Sequence, residues 1–408
     1  MRKIISVLIC VTTLLSGCET KYVELEEHIS AYRDEITIMH IEAGNESFLE
    51  YISEAEECLQ MKINVVPSST NADNRQALIS TLLSSGDTSI DLIAVNDEMT
   101  SEFKYKGYLE PLDDIMTKDI LKMYPTDYVE TIAMADEHIY SVPYLLDFMM
   151  FWVNEEYLKR AGLEKIQDFQ DFQILLQESY EEGSYGYGSA WEETYIYNDL
   201  SQFINMLGGD YYDWSNTETR KALQFLQDMV KNEQTPRSQM IDQYEQMEQK
   251  FIDGRYGSIF MYSGAMNIFY YSGKYGEDQI HAAEFPIFGK GMTNIATWQY
   301  VLNKASGHKD AAKRFLAYVA SEEGCIAYSN YMKQLPARLD VLLEEDIDVP
   351  DLDIMRSYVE QLEFKARPFS EQPMEDITEM GRLLQKYLME EISIEEFCKE
   401  AQRIIDAD

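Results

Sequence analysis

The fold is decided by three short apolar runs, EITIMHI at residues 35–41, KINVVP at residues 62–67 and DLIAV at residues 91–95. Two segments with helical spacing of apolar residues separate them, one at residues 47–60 and one that ends before Gly86. Short apolar runs rich in β-branched residues are typical of buried strands. Strand, helix, strand, helix, strand in this order predicts an α/β fold with a parallel sheet.

The loops that follow the first and third predicted strands are the first candidate site. In parallel α/β sheets, ligands bind beyond the carboxyl ends of the strands. Here those loops contain Gly44-Asn45-Glu46 and Asn96-Asp97-Glu98. The sequence therefore predicts that polar side chains of these two loops lie beside one ligand.

The start of the chain has the composition of an export signal. Arg2-Lys3 precedes the apolar run Ile4–Leu15, and the run ends in Leu-Ser-Gly-Cys18. A basic start, a short apolar region and small residues are the parts of a secretory signal, and the run is shorter than the ~20 residues that span a membrane. Leu-Ser-Gly-Cys resembles the bacterial lipobox; the alternative is an ordinary secretory peptide with a chance cysteine. We predict a lipoprotein signal peptide at residues 1–17, lipidation of Cys18 and a lipidated spacer at residues 18–33.

Composition limits the partners. The chain has 408 residues and a net charge of −39. This length is enough for two domains, and a chain of this charge repels nucleic acid and anionic ligands at long range. Neutral and cationic ligands remain open, and the acidity also suits simple solubility.

A search for catalytic or metal-binding chemistry finds no pattern. The mature cysteines Cys58, Cys325 and Cys398 are odd in number and irregular in spacing, so they do not form a disulfide framework. The five histidines show no metal-ligand spacing, and no phosphate-binding loop or nucleophile elbow is present. Because 73 acidic residues place some carboxylates together by chance, they do not indicate a glycosidase. The sequence predicts no enzyme activity, cofactor or metal.

Aromatic residues cluster with carboxylates at residues 191–199 (WEETYIYND) and 211–214 (YYDW). A sugar ring stacks its C–H faces on aromatic rings, and its hydroxyls donate hydrogen bonds to carboxylates. Ordinary core packing explains most such residues one by one. The cluster at residues 191–199 therefore fits a ligand surface and a packing surface equally well.

Several short segments in a fixed order resemble the family 1 extracellular solute-binding proteins of ABC importers, the group of the maltose-binding protein. Each segment is weak alone, but their order and spacing extend over nearly all of the mature chain. The segments are Ser85-Gly-Asp87 with Asp91-Leu-Ile93, Gly107-Tyr-Leu-Glu-Pro-Leu-Asp113, Ile139-Tyr-Ser-Val-Pro143, Phe151-Trp-Val-Asn154, Leu158–Leu163, Phe251–Arg255, Pro286–Gly289, Asn303–Ser306 and Ser321–Gly324.

The resemblance implies a two-lobed periplasmic-binding-protein type II fold. Each lobe would be a mainly parallel sheet flanked by helices, with the ligand in the cleft between the lobes. Lobe 1 would comprise residues 34–145 plus 298–330, and lobe 2 residues 146–297 plus 331–408. The protein would be a monomer that closes on its solute by hinge motion.

The implied function is a lipid-anchored receptor on the extracellular face of the cell membrane. It would capture a small solute, a sugar or oligosaccharide, and deliver it to the permease subunits of an ABC importer. Three alternatives stay open: a receptor for a peptide, polyamine or other cationic solute, an extracellular polysaccharide-acting enzyme, and a surface scaffold.

The resemblance also implies ligand contacts, one residue at a time. Asp147 lies at the position of a sugar-binding carboxylate on the first crossover. The family's Gly-x-Trp corner reads Gly264-Ala265-Met266 here, so the usual stacking tryptophan is missing, which makes a maltose-type ligand doubtful; Trp298 on the returning crossover could replace it. The predicted ligand-binding residues are Asn45, Glu46, Asp97, Glu98, Asp147, Trp191, Glu193, Tyr195, Tyr262, Ser263, Trp298 and Arg338.

Overall fold

The structure is a computed structural model that describes residues 34–367 and 373–406. The predicted signal peptide and spacer, including Cys18, lie outside the described residues. The strands, in chain order, are β1 Glu35–His40, β2 Lys62–Pro67, β3 Leu92–Asn96, β4 Met134–Ala135, β5 His138–Ile139, β6 Ser141–Asn154, β7 Ser258–Tyr262, β8 Ile280–Ala282, β9 Met292–Leu302 and β10 Glu363–Ala366.

Helices surround these strands, together with a π-helical turn at Val129–Ala133 and 3₁₀ turns at Arg237–Ile241 and Ser263–Ala265. The α-helices are α1 Glu46–Leu59, α2 Ala72–Ser85, α3 Asp97–Tyr105, α4 Lys118–Leu121, α5 Thr126–Tyr128, α6 Glu155–Ala161, α7 Phe169–Gln177, α8 Ile196–Leu207, α9 Thr217–Lys231, α10 Tyr244–Ile252, α11 Met266–Tyr271, α12 Lys309–Val319, α13 Glu322–Met332, α14 Leu339–Glu344, α15 Leu352–Gln361, α16 Pro373–Leu388 and α17 Ile394–Ile405.

The main sheet is mixed, with the strand order β2-β1-β3-β9-β6-β7. The predicted strands β1, β2 and β3 are present and parallel to one another, and β10 lies parallel to β9. The pairs β3–β9, β9–β6 and β6–β7 are antiparallel, and β8 also pairs antiparallel with β6. The parallel pattern expected for each lobe thus describes the β1–β3 end best, whereas at the other end antiparallel strands predominate.

Two long strands, β6 and β9, connect the two ends of the sheet. The first part of β6, from Ser141 to Phe148, pairs with β9, and the part from Met149 onward pairs with β7. In the same way β9 pairs with β10 at residues 292–295 and with β3 at residues 298–302. Because both strands change partners near their centres, they belong to both ends of the sheet.

The strand β6 continues through Pro143. The ladder to β9 shifts its register between Pro143 and Leu145. Proline has no N–H to donate to a neighbouring strand, so a local irregularity absorbs the missing hydrogen bond. A third segment joins here: the Leu146 N–H donates to the Leu335 carbonyl at 3.3 Å, and Leu145 bridges to Pro336.

Local signals in the sequence explain the helix ends that face this region. Asn45 caps α1 by accepting from the N–H groups of Ser47 and Phe48, and Asn96 caps α3 by accepting from Met99 N–H. Such N-caps satisfy donors that the first helical turn leaves unpaired. Gly86 ends α2 with a φ of +69°, a conformation that glycine adopts without strain.

The core lies on both faces of β6, which is buried along its whole length. Trp152 is fully buried, and its indole N–H donates to the Met261 carbonyl at 2.8 Å. The Tyr358 hydroxyl connects α15 to this strand by accepting from Phe151 N–H at 3.0 Å. Among the described residues, no helix has the length and apolarity needed to cross a membrane. Cys58, Cys325 and Cys398 are free thiols.

The close contact between α16 and the loop before α8 gives a test of this packing. A Cβ on Gly381 would overlap the Glu193 carbonyl, so we expect Gly381→Ala to cost roughly 1–3 kcal/mol of unfolding free energy through overpacking. The loss would appear although alanine favours a helix interior by about 1 kcal/mol over glycine. Urea unfolding measures it. The control is Gly307→Ala, where the Cβ would meet open space; stabilisation by Gly381→Ala would contradict the contact.

Candidate functional site

A cavity of about 540 Å³ lies where β6 and β9 connect the two ends of the sheet. One wall comes from the carboxyl ends of β1 and β3 and the start of α2, and the opposite wall from α8, α10 and the β7–α11 connection. Its size is in the range of small-molecule sites. The cavity is therefore the site that the predicted loops after β1 and β3 help to build.

A buried arginine joins the two walls. Arg367 follows β10, and its Nε donates to Asp97 Oδ2 at 2.9 Å while its Nη1 donates to Glu98 Oε1 at 2.7 Å. All three side chains are buried. A bidentate guanidinium–carboxylate pair is among the strongest polar contacts in proteins. The end of β3 is thus linked to a residue that the chain places on the other side of the cavity.

Neutral groups complete this cluster. Arg367 Nη1 also donates to Asn198 Oδ1 at 3.0 Å, and the guanidinium lies 5.5 Å from the ring centre of Tyr262, within cation–π range. The Tyr197 hydroxyl donates to Glu98. Burial lowers the pKa of the Arg367 guanidinium, but the Asp97 and Glu98 carboxylates outweigh burial and hold that pKa well above its usual value. Arg367 therefore stays charged.

Asp147 lies on β6 at the centre of the cavity. Its Oδ1 accepts from Gly264 N–H at 2.7 Å and from the Ser263 hydroxyl at 3.1 Å, and no described residue donates to its Oδ2. Burial raises the pKa of Asp147 to about 7, against the lowering effect of the Gly264 hydrogen bond. A Cβ on Gly264 would come within 3.2 Å of the carboxylate oxygens. The small residue therefore lets the backbone reach the carboxylate, and Oδ2 is left for a ligand donor.

Glu248 is a second carboxylate with unused hydrogen-bonding capacity. It lies on α10, lines the cavity and is only 7% exposed. Burial, with a smaller effect from Glu245, raises the pKa of Glu248 to about 8. No described residue donates a hydrogen bond to it. A hydrogen-bond donor on a ligand would supply the partner that this carboxyl lacks.

Aromatic rings form much of the remaining lining. Trp298 on β9 is partly buried, and the Arg75 guanidinium lies 5.2 Å from its ring centre. The rings of Tyr195 and Tyr244 pack edge to face at 4.7 Å. Arg75 is itself held by the carbonyls of Ser69 and Thr70. Flat apolar surfaces thus alternate with carboxylates around the cavity.

The structure brings seven of the twelve predicted ligand-binding residues to the cavity lining. Asn45 is among them although its side chain also caps α1. The seven are Asn45, Asp97, Glu98, Asp147, Tyr195, Tyr262 and Trp298.

The other five lie outside the lining. Glu46 is exposed on the first turn of α1, and Ser263 is buried behind Asp147 as its hydrogen-bond donor. Glu193 forms an ion pair with Arg382, and Arg338 with Asp340. Trp191 is fully buried, with its indole N–H on Asp199 at 2.7 Å. For four of these five, contacts within the protein already use the polar groups, whereas Glu46 is exposed to solvent.

Sequence reasoning missed most of the other lining residues, among them Arg75, Tyr244, Glu245, Glu248 and Arg367. A signal existed for Glu248, because Tyr244, Met247, Glu248 and Phe251 fall at i, i+3, i+4 and i+7. A carboxylate within the apolar face of a helix is a buried polar group that needs a reason. For Arg367 there was no local signal, since its partners lie about 270 residues earlier in the chain.

The described residues contain no cluster of three His, Cys, Asp or Glu that could hold a metal ion. Residues 42–324 match the model of the family described as bacterial extracellular solute-binding protein, which is more than half of the chain. The chain belongs to this family. Its members are transport binding proteins, which agrees with the resemblance seen in the sequence.

Individual relatives are distant in sequence and close in fold. An uncharacterized ABC transporter extracellular-binding protein of Pyrococcus horikoshii is 21% identical over 325 residues, which cover 74% of this chain and 69% of the relative. The maltose-bound MalE3 of T. maritima superposes with a TM-score of 0.75 at 18% identity, over 91% of this chain and 99% of that one. UgpB from Mycobacterium tuberculosis in complex with glycerophosphocholine gives 0.76 at 16% identity, over 91% and 98%. The predicted two-lobed fold is confirmed.

The buried arginine gives a stability prediction. Arg367→Leu leaves Asp97 and Glu98 without their counter-charge, so we expect a loss of roughly 3–5 kcal/mol in unfolding free energy. The matched control is Arg382→Leu, whose pair with Glu193 is largely solvent-exposed and is expected to cost less than about 1 kcal/mol. Urea unfolding of both variants measures the difference. Similar losses in the two variants would show that Arg367 does not act as a buried counter-charge.

Proposed function

We propose that this solute-binding protein captures a sugar or oligosaccharide outside the cell and delivers it to an ABC importer. The observation that carries the proposal is one cavity that combines stacking rings with carboxylates whose acceptor atoms are unused. Trp298, Tyr195 and Tyr262 supply rings, and Asp147 Oδ2 and Glu248 supply acceptors.

This combination suits a sugar for a physical reason. A sugar ring has apolar C–H faces and a rim of hydroxyl donors, so it needs flat apolar surfaces and acceptors in the same site. Asp147 Oδ2 and Glu248 receive no hydrogen bond from the described residues, so both can accept from a ligand. Ligand hydroxyls that satisfy Asp147 and Glu248 would therefore favour the bound state.

Delivery follows from closure of the cleft. A ligand that contacts both walls stabilises the closed arrangement relative to the open one, and the importer's permease subunits would bind that closed shape. The partner changes of β6 and β9 support the lobe limits expected from sequence, residues 34–145 plus 298–330 and residues 146–297 plus 331–408. The three segments that would connect the lobes, on β6, on β9 and at Leu335–Pro336, would then form the hinge. The protein would act as a monomer.

A cationic solute is the second candidate, and the charge balance of the cavity favours it. The described lining contains six carboxylates, Glu42, Asp97, Glu98, Asp147, Glu245 and Glu248, but two arginines, Arg75 and Arg367. The resulting negative electrostatic field attracts cations. UgpB, whose bound glycerophosphocholine carries a quaternary ammonium, shows the same fold with a TM-score of 0.76.

The sugar proposal predicts the effect of one isosteric change. Asp147→Asn keeps the shape of the side chain but replaces one acceptor oxygen with a donor, so we expect a loss of roughly tenfold to a hundredfold in affinity for the bound glycan. Calorimetry against a panel of neutral and charged oligosaccharides and spermidine measures this. Asp310→Asn, at an exposed position on α12, is the control. Unchanged affinity in both variants would remove Asp147 from the site, and a panel in which only spermidine binds would favour the cation receptor.

The membrane anchor is a separate part of the proposal. Cys18 would carry the lipid after removal of residues 1–17, and residues 18–33 would form the spacer that keeps the receptor near its importer and raises its effective concentration there. We expect Cys18→Ser to move the protein from the membrane fraction of the producing cell to the medium. Mass spectrometry of the N-terminal peptide should find a lipid mass on Cys18. An unmodified cysteine there would exclude the anchor and leave solute binding unaffected.

A further inference from the structure

The carboxylates of the cavity differ in how well the protein itself satisfies them. Asp97 and Glu98 share Arg367, and Asp147 accepts two hydrogen bonds. Glu42 accepts from the Asn45 amide at 3.0 Å. Glu248 is the exception among the described lining residues, because it is buried and receives no donor from any of them.

No described basic side chain donates a hydrogen bond to Glu248. Lys250, on the same helix, is paired with Asp242. Arg75 is held by the Ser69 and Thr70 carbonyls and lies over Trp298. The nearest further charge is Glu245, one turn earlier on α10, which has the same sign. Arg75 is the cation that interacts with Glu245, whereas the charge that acts on Glu248 among the described residues is that of Glu245. Glu248 thus faces a like charge and no direct counter-charge from the described residues.

We propose that the ligand is a saccharide with a free amino group, and that its ammonium binds at Glu248 with Glu245 adding to the attraction. This inference rests on the proposed function and narrows its ligand class. The rings of Tyr195, Tyr244 and Trp298 would contact the sugar faces, while Arg367 is paired with the opposite carboxylates, Asp97 and Glu98.

An ammonium satisfies this position better than a hydroxyl does. A buried carboxylate loses its hydration, and a neutral donor restores a hydrogen bond but not the missing charge. Because burial, and to a smaller extent the charge of Glu245, raises the pKa of Glu248 to about 8, the empty cavity favours its protonated form at neutral pH. An ammonium would stabilise the ionised form, and binding would release that proton to solvent.

The experiment compares three trisaccharides of equal length by calorimetry: one of glucosamine, its N-acetylated form and one of glucose. We expect the amino form to bind the full-length protein roughly tenfold to a hundredfold more tightly than the acetylated form. Glu248→Gln, which keeps the side-chain shape, should reduce that ratio to near one. Glu50→Gln, at an exposed position on α1, should leave the ratio unchanged.

Two outcomes overturn the proposal. Equal affinities for the amino and acetylated forms would exclude an ammonium subsite, and the sugar function would remain because both forms still bind. A preference that survives in Glu248→Gln would place the subsite elsewhere. Failure to bind any saccharide would instead contradict the proposed function itself.

The variant should fold, because a neutral amide replaces a carboxyl that burial disfavours in its charged form. Thermal unfolding without ligand checks this. Glu245→Gln is the second variant: its side chain is exposed, so it should fold in any case and show a smaller fall in the amino-to-acetyl ratio. An unchanged ratio in Glu245→Gln together with an unchanged ratio in Glu248→Gln would overturn the assignment to α10.

Discussion

The antiparallel pairing of β6 with β9 is the constraint on which the rest of the structure depends. These two strands run through both ends of the sheet, and each changes partners near its centre. Asp147 and Trp298 lie on this pair, so the backbone ladder fixes their separation. The walls of the cavity are added on either side of it, which leaves the ligand site at the junction of the two ends.

The sequence predicted the parts of this arrangement that local patterns determine. The strands β1 and β3 and the position of the acidic residues after β3 followed from short apolar runs bounded by turn residues. Asp147 and Trp298 came from a family resemblance that fixed the crossing segments. For the strands the information lies within a few residues, whereas for Asp147 and Trp298 it lies in the order of segments along the chain.

Other features depend on contacts between distant parts of the chain, and local patterns do not show them. Trp191 and Glu193 sit in an acidic and aromatic segment, but Asp199 and Arg382 already use their polar groups. Arg367 has no motif around it, and its role follows only from the pairing of β10 with β9. Composition identifies residue types that suit a sugar, whereas the fold decides which of them still have a free hydrogen-bonding group.

The distribution of charge within the cavity separates structural polar groups from ligand-binding ones. Burying two carboxylates is costly unless a cation compensates them, and Arg367 does so for Asp97 and Glu98 while connecting the two walls. These groups are therefore committed to the link between the two walls. Glu248 receives no such compensation from the described residues. A solute with a hydrogen-bond donor at this position would supply the partner that the described residues do not provide.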